Sequence, residues 1–228
     1  MGRGSSKAGG GAKGGGATIV NTDDGTIDLT GTPLVYGDDD AAVSGNARAN
    51  IEAWEAKRVK NKVEYNYSVD QNGDQIGQEV KGGKTSVRVP VSHLQEGAIH
   101  THIHPREDAG TLGGTFSDGD LRNFANYGVK TYRAKAKEGA YSITKAEGFN
   151  RDGFKSFVTD LFARENASRQ SNFERIRQKV RNGDYNSDYK QYVKDITQNF
   201  NGFLVSVHNG LISGQKQYGY TYTLEKGK

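Results

Sequence analysis

The chain has 228 residues, a formal net charge of +4 and 33% hydrophobic residues, a length that suits one domain with a core and tails. It contains no cysteine, which excludes disulfides, thiolate metal sites and cysteine nucleophiles, so any metal must rest on histidine and carboxylate. No apolar run reaches membrane-spanning length and no hydrophobic stretch follows the basic residues of 1–16, so neither a membrane segment nor a signal peptide is expected.

Gly2 to Gly16 (GRGSSKAGGGAKGGG) is low-complexity sequence whose few side chains cannot offset the entropy of ordering it. Residues 1–45 are therefore expected to be a disordered tail and linker, with 46–228 as the folded domain. From Asn46 to Lys60, Ala47, Ile51 and Trp54 recur at helical spacing, which predicts an amphipathic helix anchored by Trp54. Lys62–Val69 alternates Val63, Tyr65, Tyr67 and Val69 against polar residues, and Asn72-Gly73 supplies a hairpin turn. Glu64 then belongs to a strand, on the face opposite those apolar side chains. Gln75–Val80, Thr85–Val91 and Gly97–Ile103 read as further strands, the last stopping at His104-Pro105 because proline cannot extend a ladder.

After a Gly-rich loop at 106–116, Ser117-Asp118-Gly119-Asp120 opens a helix to about Asn126. Val129–Lys137 and Ala140–Lys145 form a hairpin across Glu138-Gly139. Beyond Gly148 the period becomes helical: a stripe of Phe154, Phe157, Val158, Leu161 and Phe162, a separate basic helix over Arg169–Arg181, and a second stripe from Tyr189 to Phe200. Both Tyr189–Phe200 and Tyr218–Tyr222 are expected to be core. Gln217–Glu225 alternates as a final strand returning to the sheet.

Chemistry concentrates in His100-Thr101-His102-Ile103-His104-Pro105 and the following Ser117-x-x-Asp120. Strand residues at i and i+2 share a face, so either His100 with His102 or His102 with His104 can converge on one ion. Asp120 or Asp108 would supply a carboxylate. Three N/O ligands with an open fourth position is the pattern of a catalytic zinc site, and a base to move the water's proton would come from Glu64 or Glu79 on the neighbouring strands. Ser117-x-x-Asp120 also reads as a capping box. His93 and His208 lack partners at ligand spacing and read as packing or surface residues, and Gly113-Gly114 reads as turn chemistry.

These residues resemble the JAB/MPN (JAMM) metalloenzyme family, which pairs an upstream glutamate with H-x-H-P and then S-x-x-D. The match falls on Glu64, His102-Ile103-His104-Pro105 and Ser117-Asp118-Gly119-Asp120, with a longer histidine-to-aspartate gap than the family usually has. HTHIHPRE, GGTFSDGDL, AKEGAYSI and YGYTYTL together are similar to JAB-like domains of tailed-phage genomes, often in or near head-morphogenesis proteins, over about Ile51 to Leu224. The resemblance implies zinc on His102, His104 and Asp120, Glu64 as acid/base and Ser117 as oxyanion donor. It implies an α+β fold with a mixed sheet and flanking helices, of the JAB/MPN, cytidine-deaminase-like kind, to which the periodicity beyond Gly148 adds a helical C-terminal extension and a closing strand. The expected activity is hydrolysis of a peptide or isopeptide bond in a phage structural protein or host conjugate, in the host cytoplasm or virion. The alternatives are a non-catalytic phage structural or cargo protein and a nucleic-acid-associated protein like the RadC branch of the fold. A nucleobase deaminase is disfavoured because the cysteine ligands are missing.

Overall fold

The computed structural model describes Val20–Asn21, Ile27–Asp28, 45–105 and 112–226. The chain divides into two units, Met1–Pro33 and Leu34–Lys228. In the first, β1 (Val20–Asn21) pairs antiparallel with β2 (Ile27–Asp28), a short element that composition alone does not suggest. Of the rest of the expected tail, Gly45 already belongs to the first helix, and the remainder lies outside the described residues, as does Asp108.

The second unit is α+β. Its elements are α1 (Gly45–Arg58), β3 (Tyr65–Val69), β4 (Val80–Lys81), β5 (Ile99–Ile103), α2 (Asp118–Asn126), β6 (Thr131–Ala136), β7 (Gly139–Lys145), α3 (Arg151–Asn182), α4 (Tyr189–Tyr218) and β8 (Tyr220–Lys226). Six strands form one mixed sheet in the order β4-β3-β5-β6-β7-β8. Only β5 and β6 run parallel, and α2 is the crossover between them, as a parallel pair requires.

The sheet is covered on both faces. On one, Ala47 and Ile51 of α1 pack with Val69, Ile99 and Tyr67, while Trp54 stacks on Tyr67 with ring centroids 5.2 Å apart and its Nε1 donates to Glu79. Glu55, also on α1, accepts from Thr101 Oγ1 (2.7 Å) and from Arg133 Nε and Nη2 (3.0 and 3.1 Å), all buried. A guanidinium enclosed in this way needs such a two-point partner, because an uncompensated interior charge costs several kcal/mol. On the other face, α4 meets the sheet through His208, which shares a 2.8 Å hydrogen bond with Tyr222. There α3 packs Phe154 against Tyr220.

Four expectations are corrected. Gln75–Val80 is not a continuous strand: Gln75 makes an isolated bridge to Val69, and only Val80–Lys81 pairs with β3. Thr85–Val91 is not a strand: it passes through irregular chain into a short 3-10 turn at Val91–His93, and Val91 is exposed. Gly82, against which a side chain would meet Ser86 O at 2.4 Å, folds this segment back on itself instead of letting it pair. The basic stretch Arg169–Arg181 is no separate helix but the second half of the 32-residue α3, since no Pro or Gly stands between Phe154 and the left-handed cap at Gly183. The Tyr189–Phe200 stripe is not core, as Tyr189 and Val193 are exposed; Tyr220 and Tyr222 are buried as expected, but Tyr218 is half-buried at the end of α4, and the final strand begins at Tyr220 rather than Gln217.

Candidate metal site

The register of β3 and β5 sets Asn66 opposite His102 and Ser68 opposite His100. Alternation therefore puts Glu64, Asn66 and Ser68 on the same face as His100 and His102, away from α1. This polar face is interior rather than solvated: Asn66, Ser68, His100 and His102 are at most 2% exposed and Glu64 is 9%. Glu64 stands one residue before β3, yet it continues the ladder, donating its N–H to Gly83 O (2.7 Å) and accepting from Gly82 N (2.8 Å).

At the end of β5, His104 still donates its backbone N–H to Lys135 O at 2.8 Å, and Pro105 ends the pairing. His104 therefore projects just beyond the strand, beside the first turn of α2. Ser117 caps that helix: its Oγ accepts from Asp120 N (3.2 Å) while Asp120 Oδ2 accepts from Ser117 N (2.8 Å) and Ser117 Oγ (2.7 Å), a complete capping box. The box holds the Asp120 carboxylate at the helix N-terminus, where the macrodipole favours negative charge.

These two anchors bring His102, His104 and Asp120 together with one ligand atom from each, all within 4.8 Å of one another. His102 Nε2 lies 2.9 Å from His104 Nε2 and 3.5 Å from Asp120 Oδ2. Two tetrahedral ligands about 2.0–2.1 Å from an ion stand roughly 3.3 Å apart, and the two spacings that involve His102 fall on either side of that value. The protonation pattern suits the same purpose. His104 Nδ1 lies 3.1 and 3.0 Å from the carbonyls of Gly113 and Gly114. Carbonyls only accept, so Nδ1 carries the hydrogen and Nε2 offers its lone pair inward. The contact between the two Nε2 atoms then has His102 as donor, through a proton that a metal would displace.

Electrostatics follow the geometry. Burial alone would lower the His102 pKa, but the charge and hydrogen bond of Asp120, with Glu64 beyond, raise it above the ordinary histidine value. Burial would raise Asp120, and His102, His104 and Ser117 more than reverse that, holding it well below the usual carboxylate range. His104 is lowered by burial and by the neighbouring His102. Glu64 is pushed up to about 6, chiefly by burial, with His102 opposing. His100 lies deeper, its Nδ1 sharing a 2.8 Å hydrogen bond with Ser68 Oγ and its ring 4.5 Å from that of Tyr132, and burial lowers its pKa strongly. Of the two H-x-H pairs, the His102–His104 pair joins the carboxylate. Glu79 is engaged at 2.8 and 2.9 Å by Arg58 on the α1 face, away from the site.

Several contributors carry no recognisable motif. The segment before α2 is moored by Asn201 Oδ1, which accepts from Leu112 N (3.0 Å); by Tyr222, whose hydroxyl bonds Thr115 Oγ1 (2.7 Å); and by Glu138 on the β6–β7 turn. His93 and His208 are buried packing residues, each 4% exposed. No helix among the described residues is long and apolar enough to cross a membrane. No protein-family model, curated protein or solved structure matches the chain.

Proposed function

We propose that the chain is a JAB/MPN-type, zinc-dependent hydrolase of peptide or isopeptide bonds, acting on an exposed protein segment. The observation that carries this reading is the convergence of His102, His104 and Asp120 beside Glu64, in the order and with the Ser117 partner of the family motif. Two imidazoles and a carboxylate form a borderline, oxygen-and-nitrogen donor set that suits zinc, which would take a water as its fourth ligand. When bound, the ion would supply Lewis acidity, lowering the pKa of water toward neutrality and polarising the scissile carbonyl.

The protein's own groups supply the remainder. Glu64, on the same face as His102, takes the proton as water adds to the carbonyl carbon and returns it to the nitrogen as the C–N bond breaks. His104 presents its Nε2 lone pair at the strand end, His102 would present its own once the ion displaces the Nε2 proton, and Asp120 presents its carboxylate from a capped helix. Ser117 Oγ, now donating to Asp120, would turn its hydrogen toward the carbonyl oxygen as negative charge develops there.

The test is hydrolysis of linear and lysine-isopeptide-linked fluorogenic peptides by the zinc-loaded chain, beside Glu64→Gln and His102→Ala. Glu64→Gln is expected to retain zinc and lose turnover by about 10²–10⁴-fold. Zinc binding without turnover on any substrate, or turnover that survives Glu64→Gln, would refute the enzymatic reading; the former would favour a structural metal site in a non-catalytic protein.

A further inference from the structure

The turn between β6 and β7 reaches across to the segment that precedes α2. Glu138, at that turn, accepts from Gly113 N through Oε2 (3.0 Å) and from Gly114 N through Oε1 (2.8 Å). Tyr141 Oη donates to Oε1 as well, at 2.9 Å. The carbonyls of the same two glycines receive His104 Nδ1–H. One carboxylate thus holds both N–H groups of a dipeptide whose two C=O groups orient a ligand histidine. The arrangement accounts for both glycines. A side chain at Gly113 would stand 2.7 Å from Ala136 Cβ, and Gly114 has a φ of +86° with Leu204 2.9 Å from where a Cβ would lie. Only a backbone free of Cβ atoms fits between β6 and α4 there.

We infer that Glu138 is a positioning residue for the metal: it clamps Gly113-Gly114 so that their carbonyls fix His104 as the Nδ1–H tautomer, with Nε2 directed into the site. The inference rests on the metal-site reading above for its consequence, and on hydrogen-bond geometry alone for its cause. Ligand histidines are commonly oriented by a carbonyl or carboxylate on the second ring nitrogen, and loss of such a partner weakens metal binding by about 10–100-fold. Here the support is one step longer, with a carboxylate holding the carbonyls through their own peptide groups.

The experiment uses the full chain with two variants, Glu138→Gln and Glu79→Gln. Glutamine is isosteric but can accept only through its single oxygen, so one glycine N–H would face an NH₂ group. Glu79→Gln is the control for a merely structural loss, because Glu79 anchors Trp54 and Arg58 on the α1 face. Two quantities are read: the histidine tautomer in the metal-free protein, by long-range ¹H–¹⁵N correlation on ¹⁵N-histidine, and zinc affinity by competition with a chromophoric chelator. Wild type and Glu79→Gln should show His104 as a single Nδ1–H tautomer with the same affinity. Glu138→Gln should show tautomer averaging and about 10–100-fold weaker zinc. A Glu138→Gln protein with wild-type tautomer and wild-type affinity overturns the inference. Failure of wild type to bind zinc would overturn the proposed metal chemistry, while the tautomer measurement would still decide whether Glu138 positions His104.

Discussion

Glu55 is the counterion of a guanidinium that the sheet has enclosed, and its replacement by alanine should cost a large part of the fold's stability. Arg133 is 7% exposed, and without Glu55 it would keep Ser142 Oγ at 2.8 Å and the marginal 3.4 and 3.5 Å approaches to Glu225. Breaking a buried pair by removing one partner costs about 3–5 kcal/mol, a large part of the roughly 5–15 kcal/mol that holds a domain folded. At roughly 2–4 °C per kcal/mol for a domain of this size, Glu55→Ala should lower Tm by about 6–20 °C. Urea unfolding followed by circular dichroism and by Trp54 fluorescence gives the free energy directly, with an unchanged m-value showing that the loss is one of stability. Replacing the pair together, as Glu55→Ala with Arg133→Met, removes the stranded charge and should recover much of the loss. A cost below about 1 kcal/mol, as for a surface pair, would refute the claim that the enclosed guanidinium needs Glu55 as its partner.

Other outcomes follow from the site and its supports. Burial holds His208 down to about 4, so the unfolded chain takes up this proton first. The stability from the neutral ring is complete above pH about 6.5 and is lost as the pH falls to about 4, at up to about 1.4 kcal/mol per pH unit. His208→Gln should flatten the wild-type slope by nearly one proton in that window, and an unchanged slope would contradict the assignment. Gly113→Ala, with its new methyl 2.7 Å from Ala136 Cβ, should displace the loop, cost about 1–3 kcal/mol and weaken zinc binding in a chelator titration; full affinity would show that the loop carbonyls do not matter to His104. Ser117→Ala removes the α2 cap and should cost about 1 kcal/mol in chemical denaturation, with weaker zinc as Asp120 loses one restraint.

The α+β class and nearly every element that frames the site were legible because their patterns are local. Tyr65, Tyr67 and Val69 alternate, His104-Pro105 ends a strand, and Ser117-x-x-Asp120 opens a helix as a capping box, as found. Where alternation lacked a partner strand it misled, as at Thr85–Val91. The burial of Asn66 and Ser68 could not be read from residue type, because polar side chains on one strand face signal solvent unless the opposing histidines also turn inward. Glu138 was invisible for a different reason: it works through backbone N–H groups 24 and 25 residues away in the chain, and a backbone contact imposes no residue type that a motif could record. The aromatic stripe at Tyr189–Phe200 had the period of a core helix, but only the length of α3 and α4 decides that this end of the hairpin is partly exposed.

The most direct test of the account is metal content per chain, measured by inductively coupled plasma spectrometry on protein prepared without a histidine tag and reconstituted with zinc, for wild type beside His102→Ala, His104→Ala and Asp120→Ala. The account predicts about one zinc per wild-type chain and its loss in each of the three variants. A wild-type chain that holds no zinc after reconstitution, or zinc retained in all three variants, would contradict it.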